Sequence, residues 1–428
     1  MWRSFVLHSS VLIVLLSCFV ASGENVKSEQ HRMEQILNLV ARDVRENFYD
    51  SNLKGLDWNA LTEQARDRIR KATEAGQMSG AISALVYSLH DSHTAFIPPK
   101  RNFRLKYGFE AKPFGNNILV YKVEKNGPAA TAGLQLGDQI VGVNGLNATP
   151  KAFFDMMQYL TVLDPREELD VEVADHGSSR VVKIPATVVH MPPQYFFQFI
   201  ETGQDERAPE PFYTVNDYHD GIEYLRVRTF VFPETAMVGM TKPLRNAKAV
   251  ILDLRGNAGG LTEAMTDLLG HFIGQPLEIA EAVSRKKSDP VRVKPDSLQI
   301  ACPLFVLVDS ASASASEMFA RSVQIHKRAT VLGDRTSGSL NLARFFWEPP
   351  GQFYGRGSWE AVEFGTEIAV ARIVMEDGEE LEGRGITPDE ICIPSAPDLH
   401  GEKDPCLDRA LALARKAAGQ SNSVAKSQ

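Results

Sequence analysis

The sequence predicts an α/β protein: a core of mostly parallel strands, preceded by a helical segment and interrupted by a β-rich insert. Three observations carry this. Apolar residues recur at helical spacing between positions 31 and 90, with no Pro among them. Short alternating strands, punctuated by Gly-Pro and Asn-Gly turns, fill 104–190. From 219 to 390 strand and helix patterns alternate, as in a parallel sheet with covering helices.

Residues 1–23 read as an export signal. Met1-Trp2-Arg3 carries a positive charge, Val11 to Val20 is apolar, and Ala21-Ser22-Gly23 offers small residues for cleavage. The apolar run is shorter than the about 20 residues of a membrane-spanning helix. The chain is therefore expected to be exported, to a periplasm or the outside of a cell. A second reading takes Leu16-Ser17-Cys18 as a lipoprotein cleavage site, leaving Cys18 as a lipid anchor.

The helical segment spans 24–103. Met33, Ile36, Leu37 and Val40 share a face, as do Leu61, Ala65 and Ile69. It closes on Leu89-His90-Asp91-Ser92-His93-Thr94, and Pro98-Pro99 forces an extended exit. In the insert, 104–190, strands are expected at Ile118 to Val123, Gln139 to Val143, Leu169 to Val173 and Arg180 to Ile184. Short helical runs fall near Ala129–Ala132 and Ala152–Leu160.

The core, 191–400, reads as strands Ile222–Val227, Ala249–Leu254, Pro303–Val308 and Thr330–Gly333. Helices are expected at Thr235–Thr241, Leu261–Ile273 and Ser316–His326. Residues 401–428 read as a short amphipathic helix and a disordered polar end.

The chain has 428 residues, enough for two or three domains, and a net charge of -8, which argues against a nucleic-acid binder. Of four cysteines, Cys392 and Cys406 are placed to pair across a Pro-rich loop, and Cys302 reads as a buried free thiol. No Cys-x-x-Cys pair or metal-ligand cluster occurs, so no metal or cofactor is expected.

Two motifs carry chemistry. In Val308-Asp309-Ser310-Ala311-Ser312-Ala313-Ser314-Ala315-Ser316-Glu317, a buried strand runs through small residues into a helix. A Ser there sits among free amides at a helix N-terminus, which suits an oxyanion hole, although Ser is also an ordinary N-cap. In Ala249 to Gly260, an apolar strand ends in the Gly-rich turn Arg255-Gly256-Asn257-Ala258-Gly259-Gly260. That turn lacks the spacing of a phosphate loop or a dinucleotide fingerprint.

Together the two motifs resemble the C-terminal processing, or tail-specific, serine peptidases. The resemblance implies a core like that of the crotonase and ClpP superfamily, with Ser314 as nucleophile. It also implies an oxyanion hole from the Ala315 amide and that of Gly259 or Gly260. The insert resembles a PDZ domain. Tyr107-Gly108-Phe109 matches the loop that holds a peptide's terminal carboxylate, and Gly127-Pro128-Ala129-Ala130 and Ala132 to Gly145 follow at PDZ spacing. Such a groove takes an extended peptide as an added strand.

Many family members use a Ser–Lys dyad, but the corresponding loop here is Thr336-Ser337-Gly338-Ser339-Leu340, with Ser339 at the Lys position. The sequence is closer to a branch resembling tricorn-type peptidases, which use Ser, His and Glu. His93 matches that branch's Leu-x-Asp-x-His motif. Glu382 precedes Gly385-Ile386-Thr387-Pro388-Asp389, which matches its Gly-Val-x-Pro-Asp motif. The expectation is a serine endopeptidase acting on unfolded or extended polypeptides, with Ser314, His93 and Glu382 as triad. The alternative is a catalytically inactive PDZ scaffold that binds peptides, favoured by the missing Lys. An acyl-CoA enzyme of the crotonase type is disfavoured by the PDZ insert and the Ser element.

Overall fold

The computed structural model describes residues 23–99, 101, 103–175, 177–190, 211–355 and 358–425. The export signal and Cys18 lie outside the described residues.

Among the described residues the core sheet has six strands, in the order Tyr213–Asp217, Ile222–Val227, Ala249–Asp253, Leu304–Val308, Ala329–Gly333 and Glu390–Ile391. All pairings are parallel except the first. Every residue of Ala249–Asp253 and Leu304–Val308 is buried, which is why both read as continuous apolar runs. Alternate side chains serve opposite faces. Val250, Leu252, Val306 and Val308 pack with Met265, Leu268, Met318 and Phe319 of helices Thr262–Gly270 and Ala315–Ile325. Ile251, Phe305 and Leu307 pack with Ala410, Leu411 and Ala414 of the terminal helix.

That helix, expected to be short, is Pro405–Ala425, 21 residues long. Its Ala/Leu face covers the sheet, and the Cys392–Cys406 disulfide, with Cα atoms 5.4 Å apart, fastens its start. Cys302 is free but half-buried rather than buried, because it lies just outside Leu304–Val308. Desolvation still raises its thiol pKa, opposed by Arg328.

A second sheet is built around Ser358–Met375, which pairs with Leu342–Gly355, Ala95–Ile97 and Leu277–Val283. The helices Gly23–Asn47, Trp58–Lys71 and Ala75–Tyr87 pack against it through Met33, Ile36, Ile82, Phe364 and Ile368. Register Ala95↔Glu367 fixes where the chain enters this sheet, two residues after His93.

The insert has its own sheet, in the order Phe109–Phe114, Asn117–Val123, Gln139–Val143, Glu168–Asp175, Ser178–Pro185, and its own core around Val120, Leu134, Val143 and Val171. Phe103–Lys106 pairs with Thr187–His190, so the chain enters and leaves the insert at one place. The end of Phe109–Phe114 docks on the core. Lys112 forms an ion pair with Asp309, Ser310 Oγ donates to Pro113 O (2.5 Å), and Gly115 N donates to Asp334 Oδ2 (2.6 Å).

Candidate active site

The turns Asp253–Gly260 and Asp309–Ser314 follow adjacent parallel strands and meet beyond their carboxyl ends, where open α/β sheets place their sites. Asn257 ties them together. It has no exposed surface, and its carbonyl accepts from Ala313 N (3.0 Å) and Ser316 Oγ (2.9 Å).

The four serines of the small-residue run separate by environment. Ser310 is held by Pro113 O. Ser312 has no exposed surface, donates to Leu254 O (2.8 Å) and accepts from Asp309 N (2.9 Å). Ser316, equally buried, donates to Asn257 O. Ser314 alone is half-buried with a hydroxyl proton that has no acceptor among the described residues. It is the N-cap of Ala315–Ile325, with φ 54° and ψ −118°. A non-Gly residue in that region costs on the order of 1–3 kcal/mol, and such strain persists only where its surroundings enforce it. Two acceptors hold the Ser314 amide: Ser339 O at 2.6 Å and Glu317 Oε2 at 3.1 Å.

Gly259 (φ +99°) must be a glycine. A Cβ there would lie 2.7 Å from Ser314 Cβ and 3.1 Å from Ala315 N, so the turn lies directly against the Ser314 turn. The Gly259 amide donates to Asn257 Oδ1 (2.8 Å). The amides of Gly260 and Ala315 have no acceptor among the described residues. Ala315 N is one of the orphan donors at the start of its helix.

His93 is half-buried in the turn after helix Ala75–Tyr87. Asp91, 8% exposed, organises this turn by accepting from His93 N (3.1 Å), Thr94 Oγ1 (2.9 Å) and Asn341 Nδ2 (2.8 Å). Burial pushes the Asp91 carboxyl up, and the nearby Glu382 adds to this. Desolvation pulls the His93 pKa below its ordinary value, opposed by Glu382 and Asp91, so the ring stays neutral.

Glu382 approaches the same turn from the far end of the chain. Its Oε1 accepts from Ser92 N (2.9 Å), and its Oε2 from Leu340 N (2.9 Å) and Asn341 N (3.3 Å). Other acids of the 376–382 run face outward to partners: Glu376 to His326, Asp377 to Arg321, Glu379 to Arg384 and Glu380 to Arg372. No direct hydrogen bond joins Glu382 to the imidazole among the described residues. Ser92 links the two instead, its amide on Glu382 and its hydroxyl 3.1 Å from His93 Nδ1. Nor does a hydrogen bond join His93 to Ser314, a contact that often tightens only with substrate present.

Sequence reasoning missed the parts played by Ser92, Asp91, Asn341 and Glu317. Ser92, Asp91 and Glu317 lay inside quoted motifs, but nothing local indicated their partners. Ser339, at the Lys position of the dyad pattern, contributes its carbonyl to the Ser314 amide. Lys327 is exposed beyond the far end of the 11-residue helix that Ser314 caps, roughly 17 Å along its axis.

In the insert, Gly108 has φ +76°, and a Cβ there would meet Pro128 Cδ at 2.9 Å. Tyr107 is buried and donates to Arg166 O (2.5 Å). Phe109 opens the edge strand of the insert's sheet, the side on which a peptide strand can add.

Comparison with known proteins gives three family matches: peptidase family S41 over residues 221–392, a PDZ domain over 119–173 and a tricorn protease C1 domain over 30–79. The chain is 25% identical to a chloroplastic C-terminal processing peptidase of Tetradesmus obliquus, over 83% of this chain and 76% of that one. It is 24% identical to a carboxyl-terminal-processing protease of a Picosynechococcus species, over 91% and 89%. In fold it resembles mature CPAF complexed with lactacystin, with TM-score 0.66 at 12% identity, covering 92% of this chain and 99% of that one. It also resembles the photosystem II D1 C-terminal processing protease, with TM-score 0.51 at 20% identity, covering 85% and 93%.

Proposed function

We propose that the chain, a serine-type peptidase whose residues 221–392 match peptidase family S41 and whose residues 119–173 match a PDZ domain, cleaves unfolded or extended polypeptides through an acyl-enzyme on Ser314, with His93 as base. The observation that carries this reading is the strained Ser314 turn, packed on Gly259, where among the described residues the Ser314 hydroxyl proton has no acceptor and the amides of Ala315 and Gly260 are unengaged.

Ser314 Oγ attacks the scissile carbonyl. With Nδ1 protonated toward Ser92 Oγ, His93 Nε2 holds a lone pair and takes the serine proton. Glu382, acting through Ser92, fixes the ring and stabilises the imidazolium. The Ala315 and Gly260 amides receive the oxyanion. The imidazolium returns its proton to the leaving amine, and water then hydrolyses the ester. The base is a histidine because Ser339 has no basic nitrogen and Lys327 lies at the wrong end of its helix.

The PDZ edge strand Phe109–Phe114 captures the substrate's C-terminus, its carboxylate at Tyr107-Gly108-Phe109. Export agrees with the N-terminal signal pattern and with the Cys392–Cys406 disulfide, which persists in oxidising compartments.

A long unfolded polypeptide with a free C-terminal carboxylate should be cleaved by the purified enzyme, and its amidated form more slowly. A short peptide should show no such difference. No cleavage of either polypeptide contradicts the peptidase reading, and equal rates for both contradict capture by the PDZ domain.

A further inference from the structure

Glu317 is the third residue of helix Ala315–Ile325 and has no exposed surface. A glutamate at that position ordinarily returns one hydrogen bond to the N-cap amide. This carboxylate accepts four. Oε1 takes Thr336 Oγ1 (2.5 Å) and Gly338 N (2.8 Å), and Oε2 takes Ser314 N (3.1 Å) and Ser339 N (2.9 Å). Three of these donors belong to the 336–339 loop, which a helix cap does not need. Four donors match the about four lone-pair sites of an ionised carboxylate, which has no proton to place. An amide in its place would set a donor against donors.

The loop that Glu317 fastens leads straight to the base. Ser339 O accepts the Ser314 amide, Leu340 N and Asn341 N hold Glu382, and Asn341 Nδ2 holds Asp91. Nucleophile and base come from segments far apart in the chain, and no hydrogen bond joins them directly among the described residues. Their register depends on this path, and Glu317 is its junction with Ser314.

We propose that Glu317 is a positioning residue, whose ionised carboxylate holds the strained Ser314 turn and the 336–341 loop together and so keeps Ser314 in register with His93 and Glu382. The proposal rests on the reading of Ser314 as nucleophile and His93 as base. It acts on the geometry of attack and leaves substrate binding alone, so kcat should suffer and KM should not.

The test measures kcat and KM per folded molecule, the folded fraction being taken from circular dichroism and the thermal unfolding transition so that misfolded molecules do not enter. Glu317→Gln should lower kcat per folded molecule on the order of 10²-fold, the scale of a small misplacement of reacting groups, with KM little changed. Glu317→Asp, which keeps the charge, should recover part of the loss. If Glu317→Gln gives no folded protein, Thr336→Val is read in the same way, with a smaller fall in kcat expected. Wild-type kcat per folded molecule in the readable variant overturns the proposal, as does a loss confined to KM. A wild-type enzyme that takes up no fluorophosphonate sinks the peptidase reading itself. Full wild-type labelling with an undiminished variant sinks the positioning role alone.

Discussion

Ser314→Ala should abolish cleavage of an unfolded polypeptide, by about 10⁶-fold, the scale for loss of a serine nucleophile. Its circular dichroism spectrum should not change, because the Ser314 hydroxyl proton has no acceptor among the described residues and the turn is held through backbone groups. The neighbouring serines predict the opposite pattern. Ser312 and Ser316 are fully buried and hydrogen-bonded to backbone groups. Replacing Ser312 by Ala leaves the buried Asp309 amide without that acceptor, and replacing Ser316 removes one of the two donors to Asn257 O, each a loss of about 1 kcal/mol of stability. Each variant should therefore melt earlier while keeping most of its activity per folded molecule. Activity surviving in Ser314→Ala contradicts the assignment.

His93→Ala should be nearly inactive, down on the order of 10⁴-fold or more, while Lys327→Ala should match the wild type. The pH dependence of acylation carries the same distinction. An unperturbed histidine titrates near about 6.5, and desolvation moves His93 below that value. A base with a lowered pKa stays deprotonated into mildly acidic solution. The acid limb of the rate should thus have its midpoint below the ordinary histidine value. A lysine brought down by burial would give a limb at about 7–8. Single-turnover acylation of wild type and both variants across this range decides between them. Loss of acylation in Lys327→Ala with survival in His93→Ala reverses the assignment.

The α/β core was legible because its strands are buried on both faces and bounded by turns. Ile222–Val227 and Gln139–Val143 fall where the apolar pattern places them. The strands Leu342–Gly355 and Ser358–Met375 were not legible, since Pro349, Pro350 and Gly351 interrupt the first and Gly365 falls inside the second. Their pairing comes from the partner strands and not from local pattern. The same limit applies at the site. Ser314, His93 and Glu382 stood in recognisable motifs. What surrounds them is made of contacts between distant segments, such as Asn341 to Asp91 and Ser92 to Glu382. The choice between Gly259 and Gly260 was open because both are glycines in one turn. Asn257, which engages the Gly259 amide, gave no sign of doing so in the sequence.

The most direct measurement is mass spectrometry of the wild-type enzyme after reaction with a fluorophosphonate. Labelling requires both an activated hydroxyl and an oxyanion hole, so it reports the assembled site rather than a bare serine. The account predicts one adduct, on the Ser314 Oγ, absent from Ser314→Ala and nearly absent from His93→Ala. A folded protein that takes up no reagent, or carries it on another serine, contradicts the account.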